Sequence, residues 1–174
     1  MILEVIKELE SQRQEMNISR ESIEFITVIC RALKPKNILE IGAFNGYSAL
    51  WLSLNAEKVV TLEIDEENVK LAQENFKKAN CKNIEIVHGD AFKTLQMQFY
   101  KFDVVLIDGR KSEYQTYLEF VLNTITENAL IFVDNTISHK DKLDNFFDYL
   151  KRSKLYYKEL NLGKGLMLIS KNPF

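Results

Sequence analysis

Five short apolar runs punctuate this chain, NILEIG, KVVTLEI, IEIVHG, FDVVLID and ALIFVDN, and stretches with helical spacing separate them. Runs this rich in β-branched residues, without a polar residue at every second place, predict strands buried on both faces. Val69, Ala72, Phe76 and Ala79 form one helical stripe after Asp65. Tyr114, Leu118, Val121, Leu122 and Ile125 form a second, and Leu143, Phe146, Phe147 and Leu150 a third. Strands joined through helices become parallel neighbours by right-handed crossovers, which puts helices on both sides of the sheet. The expectation is an α/β fold with a doubly wound, mostly parallel sheet. LYYKELNL and GLMLISK then close the chain, and the short segment between them, containing Gly163 and Lys164, leaves no room for a crossover helix. They predict a C-terminal antiparallel hairpin and bring the sheet to seven strands.

A length of 174 residues suits one core of ordinary size, so residues 1–174 are expected to form a single domain. Ile2, Ile6 and Leu9, then Ile23, Ile26, Cys30 and Leu33, recur at helical spacing, with Ser19 as an N-cap for the second helix. Residues 1–34 are therefore expected to lead in as helices. No apolar run approaches the roughly 20 residues of a membrane helix, and MILEVIKELE interleaves charges with its apolar residues, unlike a signal peptide. A cytoplasmic location without membrane partners is the expectation. Cys30 and Cys81 show no metal-ligand spacing. From Ser138 onward eight Lys and Arg face four Asp and Glu, giving +4, so the first 137 residues carry −6 of the net −2. A basic end can attract an anionic partner such as RNA, although solvated helix faces give the same count.

The stretch ILEIGAFNGYSAL carries the sharpest chemical signal. In an open α/β sheet the ligand lies beyond the carboxyl ends of the strands, close to the first strand-helix loop. A dinucleotide site there wants G-x-G-x-x-G for a pyrophosphate. This chain instead has Glu40-x-Gly42-x-x-x-Gly46. A carboxylate at the strand end suits a ligand with an ammonium and a sulfonium, as in S-adenosylmethionine. Glu63 ends the second strand, where an acid can accept from ribose hydroxyls, and Asp90 in HGDAF could accept from an adenine amine. Taken singly, Glu63 is equally readable as a solvated strand-end acid and Asp90 as a helix cap.

LEIGAFNGYSAL, TLEID, GDAF, VLIDGRKSEY, VDN and GLMLISK together resemble the successive motifs of class I S-adenosylmethionine-dependent O-methyltransferases of the catechol and caffeoyl-CoA type, from about Met16 to Lys171. The resemblance implies that Glu40, Gly42, Phe44 and Ser48, in a loop that includes Ala43 and Gly46, hold the methionine part of the cofactor. It assigns Glu63 with Ile64 to the ribose and Asp90 with Ala91 to the adenine, adds Asp108 to the cofactor contacts, and gives Met16 a place in the segment that covers them.

LIDGRK and VDN bear on the chemistry. Asp108, Asp134 and Asn135 should converge at the ends of the fourth and fifth strands, a hard-oxygen set suited to magnesium, and the family uses these positions for that ion. Lys111 matches the family's catalytic lysine, with Asp108 beside it in the catalytic set. Asp108 is also readable as a strand-end acid working without metal, Asp134 and Asn135 as a loop cap, and Lys111 as a solvated lysine. His139 could reach the site from its loop, and His88 is expected to face the sheet packing. TISHKDKLD runs straight into the next helix, where relatives carry a longer segment that walls the acceptor pocket, and the amino-terminal region is short. The expected acceptor is a small hydroxylated, catechol-like molecule. The alternatives are a metal-independent methyltransferase acting on a modified uridine in tRNA and a non-catalytic cofactor-binding scaffold. Relatives are often homodimers, and the short amino end weakens the basis for expecting one.

Overall fold

A computed structural model of the protein describes residues 1–96 and 101–174. Two helices lead in, α1 (Ile2–Ser11) and α2 (Arg20–Leu33). Then β1 (Asn37–Ile41), α3 (Tyr47–Ser53), β2 (Lys58–Glu63), α4 (Glu66–Lys78), β3 (Ile84–His88), α5 (Ala91–Gln96), β4 (Phe102–Ile107), α6 (Tyr114–Val121), β5 (Ile125–Asp134) and α7 (Asp144–Arg152) alternate. β6 (Tyr156–Leu160) and β7 (Leu166–Ser170) end the chain. The strand order is β3-β2-β1-β4-β5-β7-β6, with β1 to β5 parallel and β7 antiparallel to both β5 and β6. The seven-stranded sheet and its terminal hairpin are those the sequence predicts.

Period-two alternation splits the sheet's side chains between two cores. Ile38, Val59, Val104, Leu106 and Phe132 pack under the first four helices with Ile23, Ile26, Tyr47, Leu50, Ala72 and Phe76. Their sequence neighbours Leu39, Val60, Val105, Ile131 and Val133 face the opposite core with Tyr114, Leu118, Val121, Phe146 and Leu150. Helix starts are fixed by short polar side chains: the Ser19 hydroxyl accepts from the Ser22 amide at 3.0 Å, and Asp65 accepts from the amides of Glu67 and Asn68 at 2.9 and 3.1 Å.

Three expectations are corrected. β3 is an edge strand, and its residues are half-buried or exposed where two covered faces were expected. His88, at its end, is exposed and meets the Ile64 carbonyl through Nε2 at 3.1 Å, because nothing pairs beyond an edge strand. Ile125 belongs to β5, paired with Phe102, rather than to the preceding helical stripe, because the chain turns after Leu122. No helix among the described residues is long and apolar enough to cross a membrane.

Register positions the site. Ile41 lies opposite both Leu62 and Ile107, and Ile107 opposite Val133, so the next residues, Gly42, Glu63, Asp108 and Asp134, emerge in one row at the carboxyl edge. Strand order reverses between β1 and β4, where the crossovers leave a crevice.

Candidate active site

A cavity of about 530 Å³ opens above this row, within the size range of small-molecule sites. Met16, Gly42, Ala43, Phe44, Ser48, Glu63, Ile64, Asp90, Ala91, Asp108, Lys111 and Asn135 all line it, as do Asn17, Tyr117, His139 and Lys164. Three sequence-selected residues stand back from its wall. Gly46 packs against α4, where a Cβ would come within 2.5 Å of the Phe76 ring. Glu40 and Asp134 are fully buried behind the lining residues.

Gly42 carries the closest approach. Its φ is +101°, and a Cβ there would stand 2.5 Å from the Asp108 carbonyl oxygen. Only glycine lets the β1 and β4 ends draw together in this way. Phe44 is also left-handed, at φ 46°, an unusual state for a bulky residue. Its amide is held by Glu63 Oε2 at 2.8 Å. Glu63 Oε1 accepts from the amides of Ile64 and Asp65, both at 2.9 Å. Three backbone donors thus fix a carboxylate with about four acceptor directions, leaving room for a ligand hydroxyl. Asp90 caps α5 through the Phe92 amide, accepted by Oδ1 at 2.8 Å, while it also lines the cavity.

Glu40 acts at one remove. Its Oε2 accepts from Thr61 Oγ1 at 2.5 Å, and Oε1 is buried with no hydrogen-bond partner. Burial pushes its carboxyl up to about 7, partly offset by the hydroxyls of Ser48 and Thr61. Ser48, at the cavity wall, connects the buried acid to the space above.

The segment over the cavity is pinned from both sides. Asn17 Nδ2 donates to Asn45 Oδ1 at 2.9 Å, and Asn75 Nδ2 holds the Asn45 carbonyl at 2.9 Å. Arg13 pairs with Glu10 at 2.9 Å, donates to the Ile18 carbonyl and lies over the Tyr47 ring. Met16 is left 65% exposed above the opening. Sequence reasoning missed the Asn17 and Asn45 clamp, because two asparagines 28 positions apart carry no local signal.

At the other end Asp108, Asp134, Asn135 and Lys111 meet. Asn135 Nδ2 donates to Asp108 Oδ1 at 2.8 Å and to Asp134 Oδ2 at 2.9 Å, so one amide bridges the two acids. Asn135 adopts φ 67°, a left-handed state that asparagine tolerates. Lys111 Nζ donates to Asp108 Oδ1 at 2.9 Å and to the Gly109 carbonyl at 3.2 Å, and it lies 5.2 Å from the centre of the Tyr114 ring. Tyr114, fully buried, donates its hydroxyl to the Asp134 carbonyl at 3.1 Å. Burial, then the nearby Asp108 charge, raises the Asp134 carboxyl from 3.8 to about 7. Asp108 is also raised by burial, against the opposing charges of Lys111, Lys164 and His139.

This donor set fits a hard divalent cation. Asp134 Oδ1 is buried and unpartnered, an arrangement that costs free energy unless a positive group answers it. The bridging amide answers both acids and Lys111 answers Asp108. Reversing the Asn135 amide would present its oxygen to the same point, a choice fixed by hydrogen bonding alone. Among the described residues no group of three or more His, Cys, Asp or Glu could hold a metal ion, and the set here counts two acids and an amide.

A sequence description of the O-methyltransferase family matches residues 2–164. Catechol O-methyltransferases of Mycobacterium tuberculosis and Niastella koreensis are 31% identical over 125 residues and 29% identical over 137 residues, which is 69% and 74% of this chain. The chain spans 57% and 62% of the length of those two relatives. The SAH-bound methyltransferase PaMTH1 of Podospora anserina shares the fold, with a TM-score of 0.89 at 23% identity over 99% of this chain and 88% of its own. An O-methyltransferase from Bacillus cereus in complex with SAH does likewise, with a TM-score of 0.82 at 23% identity over 97% and 89%.

Proposed function

We propose that this chain, which belongs to the O-methyltransferase family, transfers the methyl group of S-adenosylmethionine to one hydroxyl of a small catechol-like acceptor, with magnesium at Asp108, Asp134 and Asn135. The observation that carries the reading is the meeting of a buried and a half-buried carboxylate, an amide and a lysine at one end of a cavity whose other end is lined by Glu63 and Asp90. In this reading Gly42, Ala43 and Phe44 give the methionine part a bare backbone, Ser48 relays Glu40, Glu63 holds the ribose and Asp90 with Ala91 the adenine. Met16 and Asn17 close over the cofactor.

Once bound, the divalent ion supplies positive charge beside the acceptor oxygens and leaves positions for two of them. Lys111, which pairs with Asp108 at 2.9 Å, would in its neutral amine form take the proton of the attacking hydroxyl. The oxygen gains the methyl as the carbon-sulfur bond breaks, with the electron pair returning to sulfur. Tyr114 keeps Lys111 at its place by its ring and Asp134 by its hydroxyl. Holding donor and acceptor in line is the main part of the acceleration.

Titration of magnesium into protein saturated with S-adenosylhomocysteine tests this, for wild type and Asp134→Ala. Binding in the wild type that disappears in the variant is expected. Protein that binds neither S-adenosylmethionine nor its demethylated product sinks the reading altogether.

A second reading has its own support. Lys111 and the Asn135 amide already answer Asp108 without any ion, and Arg110, Lys140 and the neighbouring Lys142 are exposed at this end of the protein. That arrangement suits a metal-independent enzyme on tRNA. Methyl transfer that survives chelation, together with RNA binding that weakens steeply with salt, would select it.

A further inference from the structure

The β6-β7 turn brings a lysine to the cavity that no motif of the chain announced. Lys164 sits between Gly163 and Gly165, both at positive φ. Its carbonyl accepts from the amides of Ile137 and Ser138 at 3.1 and 3.0 Å, and the Gly165 carbonyl accepts from Thr136 at 3.2 Å. The turn is therefore fastened at backbone level to the loop that follows Asp134 and Asn135. A Cβ on Gly165 would collide with the Ile137 backbone amide, so the contact is as close as a chain can make it. Lys164 is half-buried at this wall, with Lys111, His139 and Asn135 lining the same cavity.

Lys164 has no direct ion-pair partner among the described residues at this end. Asp108 is engaged by Lys111 at 2.9 Å and by the Asn135 amide at 2.8 Å. Lys164 Nζ donates to a neutral acceptor, the backbone carbonyl of Glu15, and its charge reaches Asp108 and Asp134 only from beyond contact distance. The Glu15 side chain is exposed and Arg110, also exposed, pairs with Glu113 at 3.6 Å. His139 is held in a positive neighbourhood: Lys111, Lys142 and Lys164 all push its imidazole toward the neutral form, after desolvation and against Asp141. A half-buried ammonium with a neutral partner, fixed at the rim of an acceptor space, is a complement waiting for an anion.

We infer that Lys164 selects an acceptor that carries a carboxylate on the same small molecule as its adjacent hydroxyls, by pairing with that carboxylate at the cavity mouth. The inference rests on the methyltransferase reading and names its substrate class. The rigid turn sets where the charge lies, and the diol end of the molecule faces Asp108 and Asn135 while its carboxylate faces the hairpin. A phosphate would carry more charge than one lysine answers, and the amides of Thr136, Ile137 and Ser138 are already bonded to the turn.

Calorimetric titration tests it without relying on turnover. Protein in magnesium buffer is first saturated with S-adenosylhomocysteine, then titrated with protocatechuate and separately with protocatechuyl alcohol, which keeps the diol and replaces the carboxylate with a neutral group. Wild type should bind the carboxylate at least about tenfold more tightly, the size of one charge-assisted hydrogen bond. Lys164→Gln should reduce that preference to below about threefold, and Lys164→Arg should keep most of it. Thermal melts of both variants establish that they are folded. Equal binding of the two ligands by wild type, a preference that persists in Lys164→Gln, or no binding of either while S-adenosylhomocysteine is held would each overturn the inference and leave the cofactor reading standing. Failure in the first step, before any acceptor is added, removes the cofactor reading and this inference with it.

Discussion

The two ends of the cavity are built on different plans. At the Glu63 end the acids lie at strand ends and backbone amides tie them down: Glu63 by Ile64 and Asp65 beside it and by Phe44 of the first strand-helix loop, and Asp90 by Phe92. At the Lys164 end the polar groups come from the segment after β4, the loop after β5 and the hairpin turn, and the Asn135 amide joins the first two across 27 residues of sequence. The first end is stabilised locally and is complete before a ligand arrives. The second holds two raised carboxylates, Asp108 and Asp134, close enough that the charge of the first raises the second, whereas the one raised acid of the first end, Glu40, stands behind Ser48 with its own unpartnered oxygen. Acids anchored by backbone amides at one end, and side-chain charges that answer one another at the other, make a division that single substitutions can test.

The largest effect is expected at the Lys164 end. Lys111→Met should slow methyl transfer by about 10²- to 10⁴-fold, the usual worth of a general base. Its affinity for S-adenosylhomocysteine should stay within about threefold of wild type, because the Glu63 end is untouched. Equal loss of rate and cofactor affinity would merge the two ends into one unit. Gly42→Val probes the place where they join. A side chain at φ +101° against the Asp108 carbonyl should cost about 2–5 kcal/mol of stability and abolish cofactor binding, read by urea unfolding and calorimetry.

Glu63→Ala removes the acceptor of three backbone amides and a cofactor contact together. A loss of about 10- to 100-fold in S-adenosylhomocysteine affinity is expected, with magnesium binding retained. Asp134→Asn should do the reverse, abolishing magnesium binding while raising the stability of the chelator-treated protein by about 1–3 kcal/mol near neutral pH. The sign follows from proton linkage. Asp134 and Glu40 both titrate at about 7 when folded, well above their ordinary 3.8 and 4.5, so the folded state binds more protons between those limits. Their contribution is fully present below about pH 4 and is lost as pH rises through about 7. Urea midpoints of wild type in chelator should therefore fall over that range, and those of Asp134→Asn should fall less. A variant as pH-sensitive as wild type would show that Asp134 carries no stored cost. Met16→Ala should have the smallest effect, about twofold on S-adenosylhomocysteine affinity, because the side chain is mostly exposed.

The difference between the ends is also a difference in legibility. Gly42, Glu63 and Asp90 were readable because each follows an apolar run by a fixed step, and strand register turns that step into a shared edge. Ser19 and Asp65 were readable as caps for the same local reason. Ile125 was misplaced because an isolated apolar residue at helical spacing says nothing of where the chain turns. His88 was misplaced because no residue of β3 reveals that the strand lies at an edge. Gly46 looked like a ligand glycine, yet its missing side chain makes room for Phe76, thirty residues away.

Apolar runs, helical stripes and turn residues act over a few neighbours, so the sequence by itself determined the α/β class, the order of elements, the hairpin and the row of strand-end acids. Burial and long-range pairing depend on how many layers cover a group and on which distant segment meets it. Tertiary structure alone therefore decided that Glu40 and Asp134 lie behind the wall, that one Asn135 amide spans two acids, and that Lys164 reaches the Asp108 end of the cavity. That last placement exists only because β7 inserts between β5 and β6 and carries its turn to the carboxyl edge of the sheet.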